Sequence, residues 1–138
     1  MNRWEPSVGR SGFGPHQAEW VPERGEVIWI NCNPQAGREM RDRHSLLVLS
    51  PRNFNERTSL VIGLPMTTAA YNVDNPFAIA VGRRPKRDNQ SAVSYILCHQ
   101  PKSFDWRVRR AQPHPGGRIT KSAFARVCSR LNQIIEIA

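Results

Sequence analysis

The sequence predicts a mostly β protein with a small α component: a strongly bent antiparallel sheet or small barrel with one amphipathic helix across it. Short runs of β-branched and aromatic residues, separated by turn-forming segments, recur between residues 27 and 106. The last segment then changes to a helical period, with one apolar face formed by Phe124, Val127, Leu131, Ile134 and Ile135. A chain of 138 residues suits one domain with one modest core.

The elements follow in order along a domain expected to span residues 21–138. Residues 1–20 lack periodicity and contain many glycines and prolines, which predicts a flexible tail. Strands are predicted at 27–30, 46–50, 59–66, 77–81, 92–97 and 104–106, with a helical turn at 51–57 and a bulge at Gly63. Polar loops are predicted at 35–44, 67–75 and 108–117, and a basic hairpin-like connection at 83–90. Thr120 is the expected N-cap of the C-terminal helix.

Composition argues against membrane, secreted and metal-binding classes of protein. No apolar stretch approaches the ~20 residues that span a bilayer, and the N-terminus has no apolar core of a signal peptide, so a cytoplasmic protein is expected. Cys32, Cys98 and Cys128 are odd in number and widely spaced, which favours buried free thiols over disulfides or a zinc site. No cluster has the spacing of metal ligands, and no cofactor is expected.

The positive charge lies entirely in the C-terminal part of the chain. Residues 1–82 hold 8 basic and 8 acidic residues, whereas residues 83–138 hold 12 basic and 3 acidic ones, which is the whole net charge of +9. This asymmetry suggests a polyanionic partner on one side of the fold, although a solubilising surface is the simpler alternative.

A polar segment between two predicted strands carries the groups that phosphodiester cleavage requires. Glu39, Arg43 and His44 precede an apolar strand, and Thr67 ends a later one. Cleavage needs cations for the phosphate, an acceptor for the proton of the attacking hydroxyl and a donor for the leaving oxygen. Each residue also has a structural alternative, such as a surface ion pair for Arg43 or a backbone cap for Thr67.

The ordered motifs resemble those of the MazF/PemK/Kid toxins over roughly residues 21–138. They are GEVIW at 25–29, Asn33-Pro34, Gly37-x-Glu39, LVLSP at 47–51, Pro65-x-Thr67-Thr68, Asn75-Pro76-Phe77 and QPKSFDWR at 100–107. The resemblance implies a compact SH3-like barrel of the CcdB/PemK type with a C-terminal helix. It also implies a homodimeric, metal-independent endoribonuclease that cuts single-stranded mRNA at short sequences and is inhibited by an acidic antitoxin of the MazE or PemI type.

Two departures from the family pattern affect the expected site. The family's Arg-Pro pair before the LVLSP-like strand is replaced by Arg43-His44-Ser45, with the arginine one residue earlier. Such a shift turns a side chain to the other face of a strand, but need not do so in a loop. An Arg-x-Asp pair near Gln100 is replaced by Leu97-Cys98-His99, so that a histidine stands where the family has an acid.

The resemblance suggests roles for five catalytic candidates. Arg43 would bind the phosphate, Thr67 would hold it through its hydroxyl, and Glu39 would act as base or merely orient Arg43. His44 and His99 are the histidines best placed to share a proton, with His99 preferred because it replaces a family acid. A purely structural role remains the alternative for each histidine.

RNA binding is expected from basic and aromatic residues in the second half of the chain. The candidates are Arg83, Arg84, Lys86, Arg87, Lys102 and Trp106, with Trp29 expected in the core. Two other functions stay open: a non-catalytic RNA- or protein-binding module on the same barrel, and a toxin that acts on DNA topology machinery, as CcdB-like barrels do.

Overall fold

The computed structural model describes residues 19–32, 43–85 and 91–136, and within these ranges it is a curled antiparallel sheet with a C-terminal helix. The predicted fold class is therefore confirmed. The strands are β1 (Glu26–Asn31), β2 (Arg43–Val48), β3 (Leu60–Thr67), β4 (Ala78–Pro85), β5 (Ser91–Leu97), β6 (Lys102–Asp105) and β7 (Gln112–Arg118). The helices are α1 (Arg52–Thr58), a 3₁₀ helix (Ala70–Asp74) and α2 (Lys121–Ile134).

The sheet curls at β3, which exchanges one neighbour for another along its length. The strand order is β4-β5-β3-β2-β1-β7, and β6 pairs with β3 beside this path. Residues 60–63 of β3 pair with β6, whereas Met66 and Thr67 pair with β5. The end of β3 therefore leaves its partner β2 at the point where the sequence places Thr67.

Successive side chains of the central strands pack alternately into two separate cores, as expected for strands that are buried on both faces. One core contains Val21, Ile28, Ile30, Leu46, Val48, Val61 and Trp106. The other lies under α2 and contains Val27, Leu47, Leu64, Ile79, Ile96, Cys98 and Val127. Neighbouring residues of β1 and β2 thus point into different layers of the molecule, which decides where the polar residues at the strand ends face.

Gly63 is required for close packing and is not the predicted bulge. It pairs in regular register with Val48 on one side and Lys102 on the other. A Cβ atom built on Gly63 would lie 2.8 Å from Leu46 Cγ and closer still to the carbonyl oxygen of Leu47. Only glycine allows the two strands to approach in this way.

Helix α2 begins as predicted, but its apolar face is only partly buried. The Thr120 side chain accepts a hydrogen bond from the Ala123 backbone N–H at 3.1 Å, which confirms the N-cap. Val127 is fully buried, whereas Ile134 and Ile135 at the C-terminal end are exposed. The end of α2 therefore presents apolar side chains that the described part of the chain leaves uncovered.

The largest differences from the predicted strands concern β7, β4 and β2. β7 occupies most of the predicted loop at 108–117, because an edge strand that pairs only with β1 tolerates Pro113 and Pro115. β4 continues to Pro85, into the segment predicted as a basic connection, and β2 begins at Arg43, inside the predicted loop at 35–44. Both extensions place predicted loop residues on strands.

Some sequence-based expectations concern residues outside the described ranges, and others need correction. Residues 1–18 of the predicted tail, Glu39, Lys86 and Arg87 lie outside. Of the three cysteines only Cys98 is buried, since Cys32 and Cys128 are exposed. None of the described helices is long and apolar enough to cross a membrane.

Candidate active site

Arg43 and His44 face opposite sides of β2. The Arg43 guanidinium carbon lies 4.5 Å from the centroid of the Trp29 ring, and its Nη1 donates to Gln112 Oε1 at 3.4 Å. His44 instead lines a small cavity with Leu46, a residue of the core that also contains Ile30 and Trp106. Because Arg43 is paired with Asn31 in a strand, the one-residue shift does turn the arginine away from the face that His44 occupies.

The cavity beside His44 has a volume of about 170 Å³. It lies between the ends of β1, β2, β3 and β6, and its lining is Ile30, Cys32, His44, Ser45, Leu46, Pro65, Met66, Lys102 and Phe104. The imidazole of His44 and the ammonium of Lys102 are the two ionisable groups of basic type in this lining. An imidazole and an ammonium group thus border one concave site, and these are group types that phosphodiester cleavage can use.

Thr67 is the last residue of β3 and follows Met66, which lines the cavity. The pairing of β3 with β2 ends at Pro65, and Thr67 pairs with Tyr95 of β5. The Thr67 hydroxyl accepts a hydrogen bond from the Ala69 backbone N–H at 3.1 Å, so it caps the turn that follows β3. This contact uses the oxygen as acceptor and leaves the O–H proton to be donated to a phosphate oxygen.

A third cation near the cavity, Arg109, was not singled out from the sequence. Its guanidinium carbon lies 4.9 Å from the centroid of the Phe104 ring, and Phe104 is one of the lining residues. Its Nη1 donates to the carbonyl oxygens of Asn31 at 3.2 Å and Cys32 at 2.8 Å. Arg109 therefore anchors the chain where β1 leads into the segment that carries Glu39. Its position in an apparent loop gave no signal of this role.

His99 is separate from the cavity. It lies exposed in the turn after β5, with its ring centroid 5.5 Å from that of Phe77 and its Nε2 3.3 Å from Gln100 Nε2. It is not among the cavity-lining residues. The structure therefore brings His44 and Lys102 to one cavity, with Thr67 one residue beyond the lining residue Met66, and places Arg43 on the other face of β2 and His99 in a separate turn.

The aromatic predictions are reversed by the structure. Trp106, expected to stack on RNA bases, is only 3% exposed in the core and donates from Nε1 to the Asn55 carbonyl oxygen at 2.8 Å. Trp29, expected in the core, is half-buried and contacts Arg43 and His114. Arg83 and Arg84 lie on the edge strand β4 and not in a loop.

A larger groove of about 630 Å³ lies between β4, β5, β7 and the start of α2. Apolar residues form much of its lining, among them Val27, Met66, Val81, Ile119 and Ala123, and Arg118 and Arg126 also line it. Among the described residues, no group of three or more His, Cys, Asp and Glu is arranged to hold a metal ion.

Comparisons with known proteins agree with this architecture. The model of the PemK-like, MazF-like toxins of type II toxin–antitoxin systems matches residues 23–135. Endoribonuclease toxin MazF of Escherichia coli K12 is 27% identical over 118 residues, which cover 86% of this chain and 97% of that protein. Endoribonuclease PemK of Escherichia coli is 26% identical over 115 residues, 82% of this chain and 81% of that protein.

Solved structures show the same fold. A MazF crystal structure from Deinococcus radiodurans is 32% identical and covers 86% of this chain and 100% of that chain, with a TM-score of 0.65. A MazE–MazF structure from the same organism is 28% identical and covers 87% of this chain and 100% of that chain, with a TM-score of 0.67. The match over almost the whole folded part shows that this chain belongs to the PemK-like, MazF-like toxin family of type II toxin–antitoxin systems.

Proposed function

We propose that this chain is a metal-independent endoribonuclease toxin that cleaves single-stranded RNA, with mRNA as its target. The observation that carries the proposal is the cavity that His44 and Lys102 both line, with Thr67 directly after the lining residue Met66 at the end of β3. The relatives that match most of the chain are named endoribonucleases, which supports the same activity.

The reaction requires no group beyond the RNA and protein side chains. The ribose 2′-oxygen attacks the adjacent phosphorus, and the bond from phosphorus to the 5′-oxygen breaks. The 2′ proton passes to a base on the protein, and the leaving oxygen receives a proton from an acid. The products are a 2′,3′-cyclic phosphate and a free 5′-hydroxyl. Each positioned acid or base contributes about 10²–10⁴-fold to such a reaction.

The cavity residues suit these steps. His44 transfers a proton, because imidazole is the side chain that changes protonation most readily near neutral pH. Lys102 stabilises the charge that develops on the non-bridging oxygens, and Thr67 donates its hydroxyl proton to one of them. Glu39 remains a candidate base, because the segment that carries it starts beside the cavity at Cys32.

Phosphate binding by Arg43 does not fit this arrangement. Its guanidinium contacts Trp29 and Gln112 on the face away from His44. His44 therefore stands at the position of the family arginine, and its side chain faces the cavity. A role for His99 in proton transfer likewise lacks support from its position beside Phe77.

We propose that two copies associate through an apolar patch formed by Tyr71, Val73, Phe77, Ile134 and Ile135. Tyr71 and Val73 are 79% and 69% exposed, and exposed apolar side chains that form one patch are typical of an interaction site. Arg130, one turn before Ile134, donates to the Pro76 carbonyl and so holds the end of α2 beside this segment. Light scattering should show that the wild type is a dimer and that Val73→Lys weakens it. The control is Val108→Lys, at an exposed site in the turn after β6, which should leave the dimer unchanged. A monomeric wild type would contradict this proposal.

An acidic antitoxin is the proposed protein partner in the cytoplasm. The MazE–MazF structures of Deinococcus radiodurans hold a relative together with its antitoxin. In this chain the net charge of +9 and a groove that combines apolar side chains with Arg118 and Arg126 suit an acidic segment with apolar anchors. A short acidic protein encoded beside this gene should bind the chain and stop RNA cleavage. If it binds without inhibiting, the partner does not cover the RNA site.

The direct test is incubation of the purified chain with a mixed RNA pool in excess EDTA. Cleavage at a few short sequences, with cyclic phosphate ends, would support the proposal and the choice of single-stranded substrate. Binding without cleavage would instead identify the chain as a non-catalytic module on this fold. Activity that disappears with EDTA and returns with magnesium would contradict the metal-free reaction.

A further inference from the structure

Three side chains form a row on the face of β2 away from the cavity: His114 contacts Trp29, and Trp29 contacts Arg43. The ring centroids of Trp29 and His114 are 4.3 Å apart, and the ring planes are inclined by 36°. The Arg43 guanidinium carbon lies 4.5 Å from the centroid of the same indole ring. His114 is buried, whereas Trp29 and Arg43 are half-buried, so the cluster extends from the interior to the surface.

The cluster is held in place by strand pairing and hydrogen bonds. Trp29 on β1 is paired with Gln112 on β7. The backbone N–H of Gly116 donates to His114 Nδ1 at 2.9 Å, which fixes the imidazole. Gln112 Oε1 accepts from Arg43 Nη1 at 3.4 Å. These contacts come from three strands, so the arrangement exists before any ligand arrives.

We propose that this cluster is a nucleobase subsite in which a base of the RNA stacks on the outer face of the Arg43 guanidinium. The proposal rests on the endoribonuclease activity proposed above and assigns Arg43 to substrate selection. A guanidinium is planar and weakly hydrated, so one face can lie on an indole ring while the other receives a base. RNA-binding proteins use arginine planes and aromatic rings in this way for unstacked bases.

Gln112 gives the subsite its base preference. Its side chain is exposed, and among the described residues no group accepts a hydrogen bond from its amide nitrogen. A glutamine amide offers one acceptor and one donor side by side, which match N6 and N7 of adenine. A purine also gives the larger stacking area. The subsite is therefore expected to select adenine.

The subsite lies close to the proposed cleavage site. Arg43 and His44 are consecutive residues at the start of β2, and their side chains lie on opposite faces of the strand. A strand of RNA that passes around the start of β2 would place its scissile phosphate by His44 and a neighbouring base on Arg43. The selected adenine is expected to be a nucleotide that flanks the cut.

The experiment compares wild type, Arg43→Lys and Gln112→Ala by sequencing the ends that each produces from a random single-stranded RNA pool. Arg43→Lys keeps the charge and removes the plane, so it separates stacking from simple attraction. Arg52→Lys on α1 is the matched control, because it makes the same exchange at an exposed arginine away from the cluster. A second readout uses a non-cleavable RNA with a 2′-deoxyribose at the cut and 2-aminopurine, whose fluorescence falls on stacking, at the flanking position.

Wild type and Arg52→Lys should enrich adenine at one flanking position, and both cluster variants should lower this enrichment about tenfold. Wild type should also quench 2-aminopurine, and Arg43→Lys should not. If all four proteins show the same base profile and the same quenching, the subsite does not exist although the nuclease does. A wild type that cuts no RNA would overturn the proposed function itself, independently of these variants.

Discussion

Arg43 and His44 are neighbours in the chain, yet their side chains face opposite sides of β2. Arg43 lies 4.5 Å from the ring centroid of Trp29, whereas His44 lines the cavity that also contains Pro65 and Lys102. The strand alternation of β2 therefore separates two residues that the sequence analysis assigned to one catalytic site. We propose that proton transfer takes place in the cavity and that Arg43, assigned to phosphate binding from the sequence, instead binds a base on the opposite face.

The basic residues of β4 and its following segment should contribute to RNA binding through charge. Arg83 and Arg84 lie on an edge strand, and the C-terminal part of the chain holds the whole net charge. Changing Arg83, Arg84 and Arg87 to Glu should weaken RNA binding and reduce its dependence on salt, because fewer counterions are released. Fluorescence anisotropy at several salt concentrations measures both. Unaltered affinity and salt slope in a folded variant would show that these residues form only a solvated surface.

His99→Ala should leave the pH dependence of cleavage unchanged. The imidazole lies exposed beside Phe77 and is not part of the cavity lining. Resemblance to the family had suggested that it replaces a functional acid, in which case one limb of the pH–rate profile would disappear in the variant. Single-turnover rates between pH 5 and 9, with circular dichroism to check folding, show whether His99 takes part in proton transfer. If His99→Ala loses one limb of the pH–rate profile, His99 is a catalytic residue.

Stability should fall at high pH because of one thiol. Burial, partly offset by Arg130 and reinforced by Cys128, raises the pKa of Cys98. The folded state therefore keeps a proton that the unfolded state loses above the ordinary thiol pKa of about 8.5. The free energy of unfolding should decrease from pH 8 to pH 10 more steeply in wild type than in Cys98→Ala.

The control for this effect is Cys128→Ser, since Cys128 is exposed. Urea unfolding with a reductant present measures all three proteins. The slope of stability against pH should be the same in wild type and Cys128→Ser. Equal slopes in wild type and Cys98→Ala would show that burial does not shift this thiol.

Gly63→Ala should destabilise the sheet. The added methyl group would meet Leu46 and the carbonyl oxygen of Leu47, and backbone cannot move aside as a flexible side chain can. Overpacking of this kind costs about 1–3 kcal/mol. Urea unfolding should show a lower midpoint with an unchanged slope. A variant as stable as wild type would mean that β2 and β3 separate without cost.

The sequence predicted those features that depend on periodicity and local chemistry. Thr120 was identified as a cap because hydroxyls accept from free N–H groups at helix starts, and the strand before Ser50 was identified from its unbroken apolar run. β7 was missed because its prolines and glycines are turn formers, and only its position at the sheet edge makes them compatible with a strand.

The site was only partly predictable for a similar reason. His44, Thr67 and Lys102 were all candidates, but nothing in the one-dimensional sequence says that Arg43 and His99 point elsewhere. That outcome depends on where β2 begins and on how the turn after β5 is directed. Trp29 and Trp106 show the same limit, since the depth of a tryptophan depends on tertiary packing and not on its neighbours in the chain.

The most direct test of the account is the cleavage rate of His44→Gln against pH in excess EDTA, with an RNA that wild type cuts once. Glutamine has a shape similar to histidine but cannot take up a proton. We expect the rate to fall about 10²–10³-fold and one limb of the pH–rate profile to disappear, while circular dichroism stays unchanged. A folded His44→Gln that cuts at the wild-type rate with the wild-type profile would contradict the assignment of the chemistry to this cavity.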